Sequence, residues 1–404
     1  MKYKSGKFFI ENISAAKIAK KFGTPLYCYS KGFLNKNIDI FKKNFKSIKP
    51  LICFSIKANN NLEILKIIKK NNLGADVVSK GELMTSLKAG ISPNKIVFSG
   101  VGKTSEEISF AIDKNIFLIN AESENEIKLI ENISKNKKKC TKVGIRFNPN
   151  VDALTNTKIS TGRNVDKFGV DSKILTKIVN QYKYSKYLDI KCLSVHIGSQ
   201  ITNYKPYAKM VNQVDRLLKK VKFKFDYIDF GGGMGIQYKK NSQKLNYKKY
   251  NRSINIFLKK NKVKIIFEPG RSIIGNTGVL LTKVIYIKES KNRKFVILDA
   301  GMNDLIRPAL YNAYHNIIPI QKNKKIIKKI HNFVGPVCET SDQFLTVGSY
   351  NKLKEDDILA ICDVGAYGSV LSSNYNLRTR PSEVIVDKSK IKLAKKRQSI
   401  LDII

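Results

Sequence analysis

Between about residue 35 and residue 280 the chain repeats one pattern: a short β-branched or aromatic run, then a longer amphipathic segment. Eight runs can be counted: CFSIKAN (53–59), GADVVS (74–79), KIVFSG (95–100), IFLINA (116–121), KVGIRFN (142–148), LSVHIGS (193–199), YIDFGGG (227–233) and KIIFEPG (264–270). Segments between the first five, such as NLEILKIIKKNN (61–72) and GELMTSLKAG (81–90), have helical spacing and close on Asn or Gly, as helix C-termini do. Eight βα repeats in a stretch of this length predict a TIM (β/α)8 barrel. The gap between the fifth and sixth runs is too long for one loop and helix. It holds NPNVDALTNTKISTGRNVDKFGVD (148–171), an insertion on the face where long loops carry function.

After residue 280 the rhythm changes to strand-like stretches punctuated by Gly, Pro and Asn: GVLLTKVIYIKES, KFVILDAG, HNFVGPVCE and DDILAICDVGAY. The expected fold class is therefore α/β plus all-β. A barrel over 35–280 is followed by a C-terminal, β-barrel-like domain over 281–404 that also takes in residues 1–34. The length of 404 residues suits two domains.

No stretch approaches the roughly 20 uninterrupted apolar residues that span a bilayer, and Glu11 and Asn12 interrupt the early FFI cluster. The expectation is a cytosolic protein with no membrane partner. Cys28, Cys53, Cys140, Cys192, Cys338 and Cys362 include no CxxC pair, so reduced thiols are expected, mostly as buried filler, with neither disulfides nor a metal site. The net charge of +43 raises nucleic acid as a partner, yet only 10 of the 75 basic residues are Arg. The lysines are spread along the whole chain with abundant Asn and no nucleic-acid-binding motif, so the charge reads as a solvated surface.

Strand alternation assigns faces. Phe54 and Ile56 oppose Ser55 and Lys57; Val195 and Ile197 oppose His196; Ile265 and Phe267 oppose Glu268. Lys57, His196 and Glu268 thus fall on the barrel side near the C-terminal ends of their strands, the catalytic end of such barrels. A lysine there must be paired, deprotonated or covalently engaged, and a Schiff base with an aldehyde cofactor is one solution. The run GGGMG (231–235) follows the seventh strand, where barrels often build phosphate sites. Taken singly, each has a plainer reading: a surface lysine, a core histidine, a structural ion pair, a tight turn.

FSIKAN, HIGSQ, GGGMG, EPGR, RPALY, GPVCETSD and DVGAYGSVLSSNYN occur in the order found in fold-type III pyridoxal-phosphate-dependent decarboxylases, a family the chain resembles from GTPLYCYS to NYNLRTRPSEV. Within it the set is most similar to the branch that converts meso-2,6-diaminopimelate to L-lysine and carbon dioxide. The resemblance implies pyridoxal 5'-phosphate as cofactor and a homodimer with active sites at the subunit interface. It implies Lys57 as the Schiff-base lysine and His196 as the imidazole packed on the cofactor ring. Ser199, Gly231, Gly232 and Gly233 become phosphate contacts, joined by the backbone of Glu268, Pro269, Gly270 and Arg271. Glu268 becomes the carboxylate at the pyridine nitrogen, where negative charge favours the pyridinium. Arg271, Arg307 and Tyr311 become ligands of substrate carboxylates. Cys338 becomes the proton donor, Glu339 the ligand of the distal amino group, and Tyr367 a contact to cofactor and substrate; Cys338 and Glu339 come from the partner subunit.

Before ISTG the family usually carries His and an aromatic residue, whereas here the chain reads Asn156, Thr157, Lys158, a departure that bears on closure of this loop over substrate. A sister decarboxylase for ornithine, arginine or carboxynorspermidine would share Lys57, His196 and Glu268, but the CET triplet and RPALY favour a substrate with a distal amino-acid group. A racemase would place Arg, not Glu, at the pyridine nitrogen. A non-enzymatic homologue would lose Lys57 or Cys338.

Overall fold

The computed structural model describes residues 1–323 and 325–404. The chain divides into two compact units. One comprises Ile38–Ile236 and Gln243–Ser272; the other gathers Met1–Asn37, Gln237–Ser242 and Ile273–Ile404.

The first unit is a closed barrel of eight parallel strands: β1 (Leu51–Ser55), β2 (Gly74–Val77), β3 (Ile96–Phe98), β4 (Leu118–Ala121), β5 (Thr141–Arg146), β6 (Leu188–Ser194), β7 (Tyr227–Asp229) and β8 (Lys264–Phe267). They are the eight runs expected, in sequence order around the barrel, and β8 closes on β1 through Ile266↔Leu51 and Phe267↔Ile52. The helices between them start where a polar side chain can take the first free N–H groups. Asn61 caps Leu62–Lys70, and Thr104 and Glu107 form a reciprocal capping box on Ser105–Asp113.

Alternation inside the barrel produces two layers. Cys53, Val97, Leu118, Cys192 and Ile266 pack as a fully buried apolar floor. Two residues further along the same strands or just past them stand Ser55, Ser99, Asn120, Ser194 and Glu268, all buried polar groups. The barrel thus turns from oily to polar within one strand repeat, at the C-terminal mouth. The outward side is apolar, with the Phe267 ring 4.5 Å from that of Phe45.

The second unit is built on a nine-stranded sheet that branches at the long strand Gly278–Ser290. Its first half pairs antiparallel with Leu26–Ser30 on one side and Ile358–Ile361 on the other, and its second half pairs with Arg293–Leu298. Leu26–Ser30 also pairs parallel with Ser382–Asp387, so the N-terminal segment supplies a central strand. All six cysteines are free thiols; Cys28, Cys53 and Cys192 are buried, Cys362 is half-buried, and Cys140 and Cys338 are exposed. Fewer of them are filler than expected. Among the described residues no helix is long and apolar enough to cross a membrane.

Candidate active site

The barrel mouth brings together Lys57, His196, Ser199, Gly231 to Gly233 and Glu268 to Arg271. Strand alternation places Ser55 correctly, but β1 ends there, and Lys57 rides on a short 3-10 turn, Ile56–Ala58. The turn lifts the lysine to the rim, where its side chain is 37% exposed and its Nζ lies 3.0 Å from Asp76 Oδ2. His196 and Glu268 likewise lie just past the ends of β6 and β8.

The glycine run serves by leaving room. Gly231 and Gly233 take positive φ (62° and 82°), and a Cβ on Gly231, Gly232 or Gly233 would come within 2.5 Å of His196 Nδ1, 2.0 Å of the Glu268 carbonyl oxygen or 2.1 Å of the Gly198 carbonyl oxygen. The bare backbone lets the β6, β7 and β8 loops meet. Gly231 N–H donates to Asp229 Oδ1 at 2.9 Å, and Gly232 N–H donates to His196 Nδ1 at 3.2 Å. Nδ1 is therefore an acceptor, which fixes His196 as the neutral tautomer with its proton on Nε2. Burial, then the charges of Arg146 and Lys57, pushes its pKa well below the usual histidine value. Beside this bend Arg271 Nη2 donates to Ser199 Oγ at 3.2 Å. A cation, a hydroxyl and an open backbone bend meet there.

Beneath the rim the acidic groups converge. Ser55 Oγ lies 2.8 Å from Asp76 Oδ2 and 2.9 Å from the Glu268 carbonyl oxygen. Ser99 Oγ donates to Glu268 Oε1 at 3.3 Å, and Asn120 Nδ2 and Ser194 Oγ donate to Asp229 Oδ2 at 3.2 and 3.3 Å. Burial raises the Glu268 carboxyl well above the ordinary range, and the charges of Asp229 and Asp76 push the same way. Burial also lifts Asp229, to about 6. A cationic group beside Glu268 would reverse that preference. Asp76, Asn120 and Asp229 were missed from the sequence, yet the signal was there: each is a polar residue alternating with apolar ones inside a strand run, in GADVVS, IFLINA and YIDFGGG. The buried pair Arg146–Glu122 (2.6 Å) was missed too. Glu122 Oε2 accepts from Gly169 N–H at 2.9 Å and Phe168 lies against the Arg146 guanidinium, so the pair ties down the far end of the 148–171 insertion. Near its middle, Thr157–Ile159 form a 3-10 turn, and the Ile159 carbonyl oxygen accepts from Ser199 N–H at 3.0 Å.

The remaining predicted residues lie on the second unit. Arg307 and Tyr311 open and close the helix Arg307–Tyr311. Arg307 is buried: its guanidinium lies over the Tyr238 ring, and its Nη1 is 2.8 Å from His315 Nε2. His315 Nδ1 in turn is 2.8 Å from the Cys362 carbonyl oxygen, an acceptor that puts the proton on Nδ1 and leaves Nε2 to accept from Arg307. His315, fully buried, was not picked out from sequence; its signal is its position eight residues after Arg307. Cys338 and Glu339 stand exposed on the turn between strands Ile330–Val334 and Gln343–Val347. Tyr367, half-buried, follows Ile358–Ile361 and holds φ at 56°, a conformation that non-glycine residues rarely keep without cause.

The model for "Pyridoxal-dependent decarboxylase, pyridoxal binding domain" matches residues 31–275. A protein of Aquifex aeolicus named diaminopimelate decarboxylase is 40% identical over 405 residues, covering 99% of this chain and 95% of that one. The crystal structure of diaminopimelate decarboxylase from M. jannaschii in co-complex with L-lysine superposes with a TM-score of 0.94 at 37% identity, covering 99% and 96% of the two chains. The corresponding Helicobacter pylori structure with L-lysine gives 0.91 at 39% identity, covering 96% and 97%. With residues 31–275 matched by the family model and nearly its whole length matched by these relatives, the chain belongs to the pyridoxal-dependent decarboxylase family.

Proposed function

We propose that the protein decarboxylates meso-2,6-diaminopimelate to L-lysine with pyridoxal 5'-phosphate, the closing reaction of lysine synthesis, as a cytosolic homodimer. The observation that carries this reading is the mouth itself. The Lys57 amine is tied through Asp76 and Ser55 to the backbone carbonyl of Glu268, whose buried carboxyl is held by Ser99, beside a glycine bend that a single Cβ would fill. Those residues fit the cofactor: an amine for its aldehyde, a carboxylate for its ring nitrogen, and an open bend flanked by Arg271 and Ser199 for its phosphate. When bound, it supplies an aldehyde that takes up amines and a ring that accepts the electrons left behind by carbon dioxide.

Lys57 would hold the cofactor by its aldehyde until a substrate amine takes that place. Glu268, disfavoured as a bare anion by burial, would gain its charge beside a cationic ring nitrogen and would keep the proton there. Neutral His196, locked by Gly232, presents a flat face without adding positive charge to the mouth. Ser199, Gly233 and the backbone of Gly270 and Arg271 would hold the phosphate, while Gly231, Gly232, Glu268 and Pro269 shape the bend, the N–H groups of Gly231, Gly232 and Glu268 being engaged by Asp229, His196 and the Gly231 carbonyl. Arg271, Arg307 and Tyr311 bind carboxylates, with His315 and Tyr238 orienting the Arg307 fork. Tyr367 touches both cofactor and substrate. Cys338 returns a proton to Cα, and Glu339 takes the distal ammonium. Their exposure on one chain supports delivery to the barrel of a partner subunit, which is how the two active sites are shared.

Incubating the purified protein with pyridoxal phosphate and meso-diaminopimelate should release equal amounts of carbon dioxide and L-lysine. Borohydride reduction should fix the cofactor to Lys57 in the peptide map. Turnover of ornithine or arginine in preference to diaminopimelate, or label on another lysine with Lys57 unmodified, would overturn the reading.

A further inference from the structure

An exposed glutamate ordinarily samples several rotamers, and holding one of them costs up to about 2 kcal/mol of side-chain entropy. Glu339 is exposed, yet both of its carboxylate oxygens are held. Tyr375 Oη donates to Oε1 at 2.5 Å and Ser341 Oγ donates to Oε2 at 2.8 Å. These two hydrogen bonds, the tyrosine's first, hold the Glu339 carboxyl below its ordinary range and so keep it charged.

Both loops are built to keep this meeting. The turn that carries Cys338 and Glu339 is wrapped around the buried Asp342, whose Oδ1 accepts from Met302 N–H at 2.7 Å and whose Oδ2 accepts from Val337 N–H at 2.8 Å. The tyrosine's loop is held by Asn374, which donates to the Arg378 carbonyl at 2.9 Å and to Gln398 Oε1 at 2.6 Å. Directly after Tyr375, Asn376 and Leu377 take consecutive left-handed conformations (φ 53° and 51°). Such conformations cost on the order of 1–3 kcal/mol each and persist where the surroundings impose them. Stability offers little reason for this outlay, because an exposed hydrogen bond between two surface side chains contributes little.

We infer that Tyr375 is a positioning residue for substrate: it fixes the Glu339 carboxylate in the orientation that receives the distal ammonium. The inference rests on the role given to Glu339 above. Tyr375 and Ser341 each engage one carboxylate oxygen, and the acceptor capacity that each oxygen retains suits an ammonium with three donors. A pre-oriented acceptor saves the ordering cost that a free side chain would incur on binding.

The test is Tyr375→Phe in the holoenzyme, which keeps the ring and removes only the hydroxyl. KM for meso-diaminopimelate and the Kd of L-lysine, read by titration calorimetry, should both rise about tenfold, and that rise should exceed any fall in kcat. Ser341→Ala should give a similar but smaller shift. In a Glu339→Gln background the tyrosine change should add almost nothing, because its effect passes through that carboxylate. Unchanged lysine affinity in Tyr375→Phe, alongside weakened affinity in Glu339→Gln, overturns the inference and leaves the role of Glu339 standing. Full additivity of the two changes also overturns it. Unchanged affinity in Glu339→Gln removes both.

Discussion

Two glutamates, one in each unit, are placed under opposite conditions. Glu268 lies deep in the barrel mouth among Asp76 and Asp229, and burial drives its carboxyl toward the neutral form. Glu339 lies on an exposed turn, and two hydroxyl donors hold it charged. The first arrangement stores a preference that only a positive partner can reverse, which suits a group acting on a cofactor's electronic state. The second stores no such preference and fixes direction, which suits recognition of a charged substrate end. Burial sets protonation in one region, and hydrogen-bond geometry sets aim in the other.

The largest effect should come from asking whether the two regions of one active site belong to different chains. Lys57→Ala and Cys338→Ala should each be inactive, and subunit exchange between them should restore about a quarter of wild-type activity, since half the dimers carry one intact site. Verified exchange with no recovery would place both regions in a single chain's site.

Glu268→Gln should lower kcat by about 10²–10³-fold while changing cofactor affinity little, whereas Glu339→Gln should act mainly on KM. Rapid-mix kinetics and equilibrium dialysis separate these outcomes. Equal effects on the two parameters in both variants would erase the contrast between them.

Stability should divide the same way. Glu122→Ala leaves Arg146 buried without its carboxylate and should cost about 3–5 kcal/mol in urea unfolding. Ser341→Ala, at the exposed turn, should stay within about 0.5 kcal/mol.

The smallest effect is one of pH. Burial raises Glu82 from 4.5 to about 7, so the folded barrel binds a proton there that the unfolded chain releases. This group's contribution to stability is therefore present below about pH 4.5 and is lost as pH rises toward 7. Glu82→Gln should flatten that slope in thermal melts, while Glu339→Gln should not.

The barrel was legible because each strand announces itself by its apolar run, and the first four again by the punctuated helical segment that follows. Lys57 was placed on the right side for an incomplete reason: alternation holds through Ser55, and the short turn after it does the rest. The glycine run was legible as a bend, though which N–H groups the protein itself uses, Gly231 to Asp229 and Gly232 to His196, depended on packing that spacing does not encode. On the sheet unit less could be read. The meetings of Tyr375 with Glu339 and of Tyr238 with Arg307 join residues far apart in the chain, and no local periodicity marks either.

The strand Leu26–Ser30 pairs with Gly278–Leu281 on one side and with Ser382–Val386 on the other. During synthesis it therefore leaves the ribosome long before either neighbour exists, and the entire barrel emerges in the interval. A short apolar strand must wait with both edges unsatisfied until Gly278–Leu281 is made, and with one edge open until Ser382–Val386 follows. A ribosome that stalls between those two strands yields a barrel with every strand in hand and a sheet that stops at Leu26–Ser30, its far edge open.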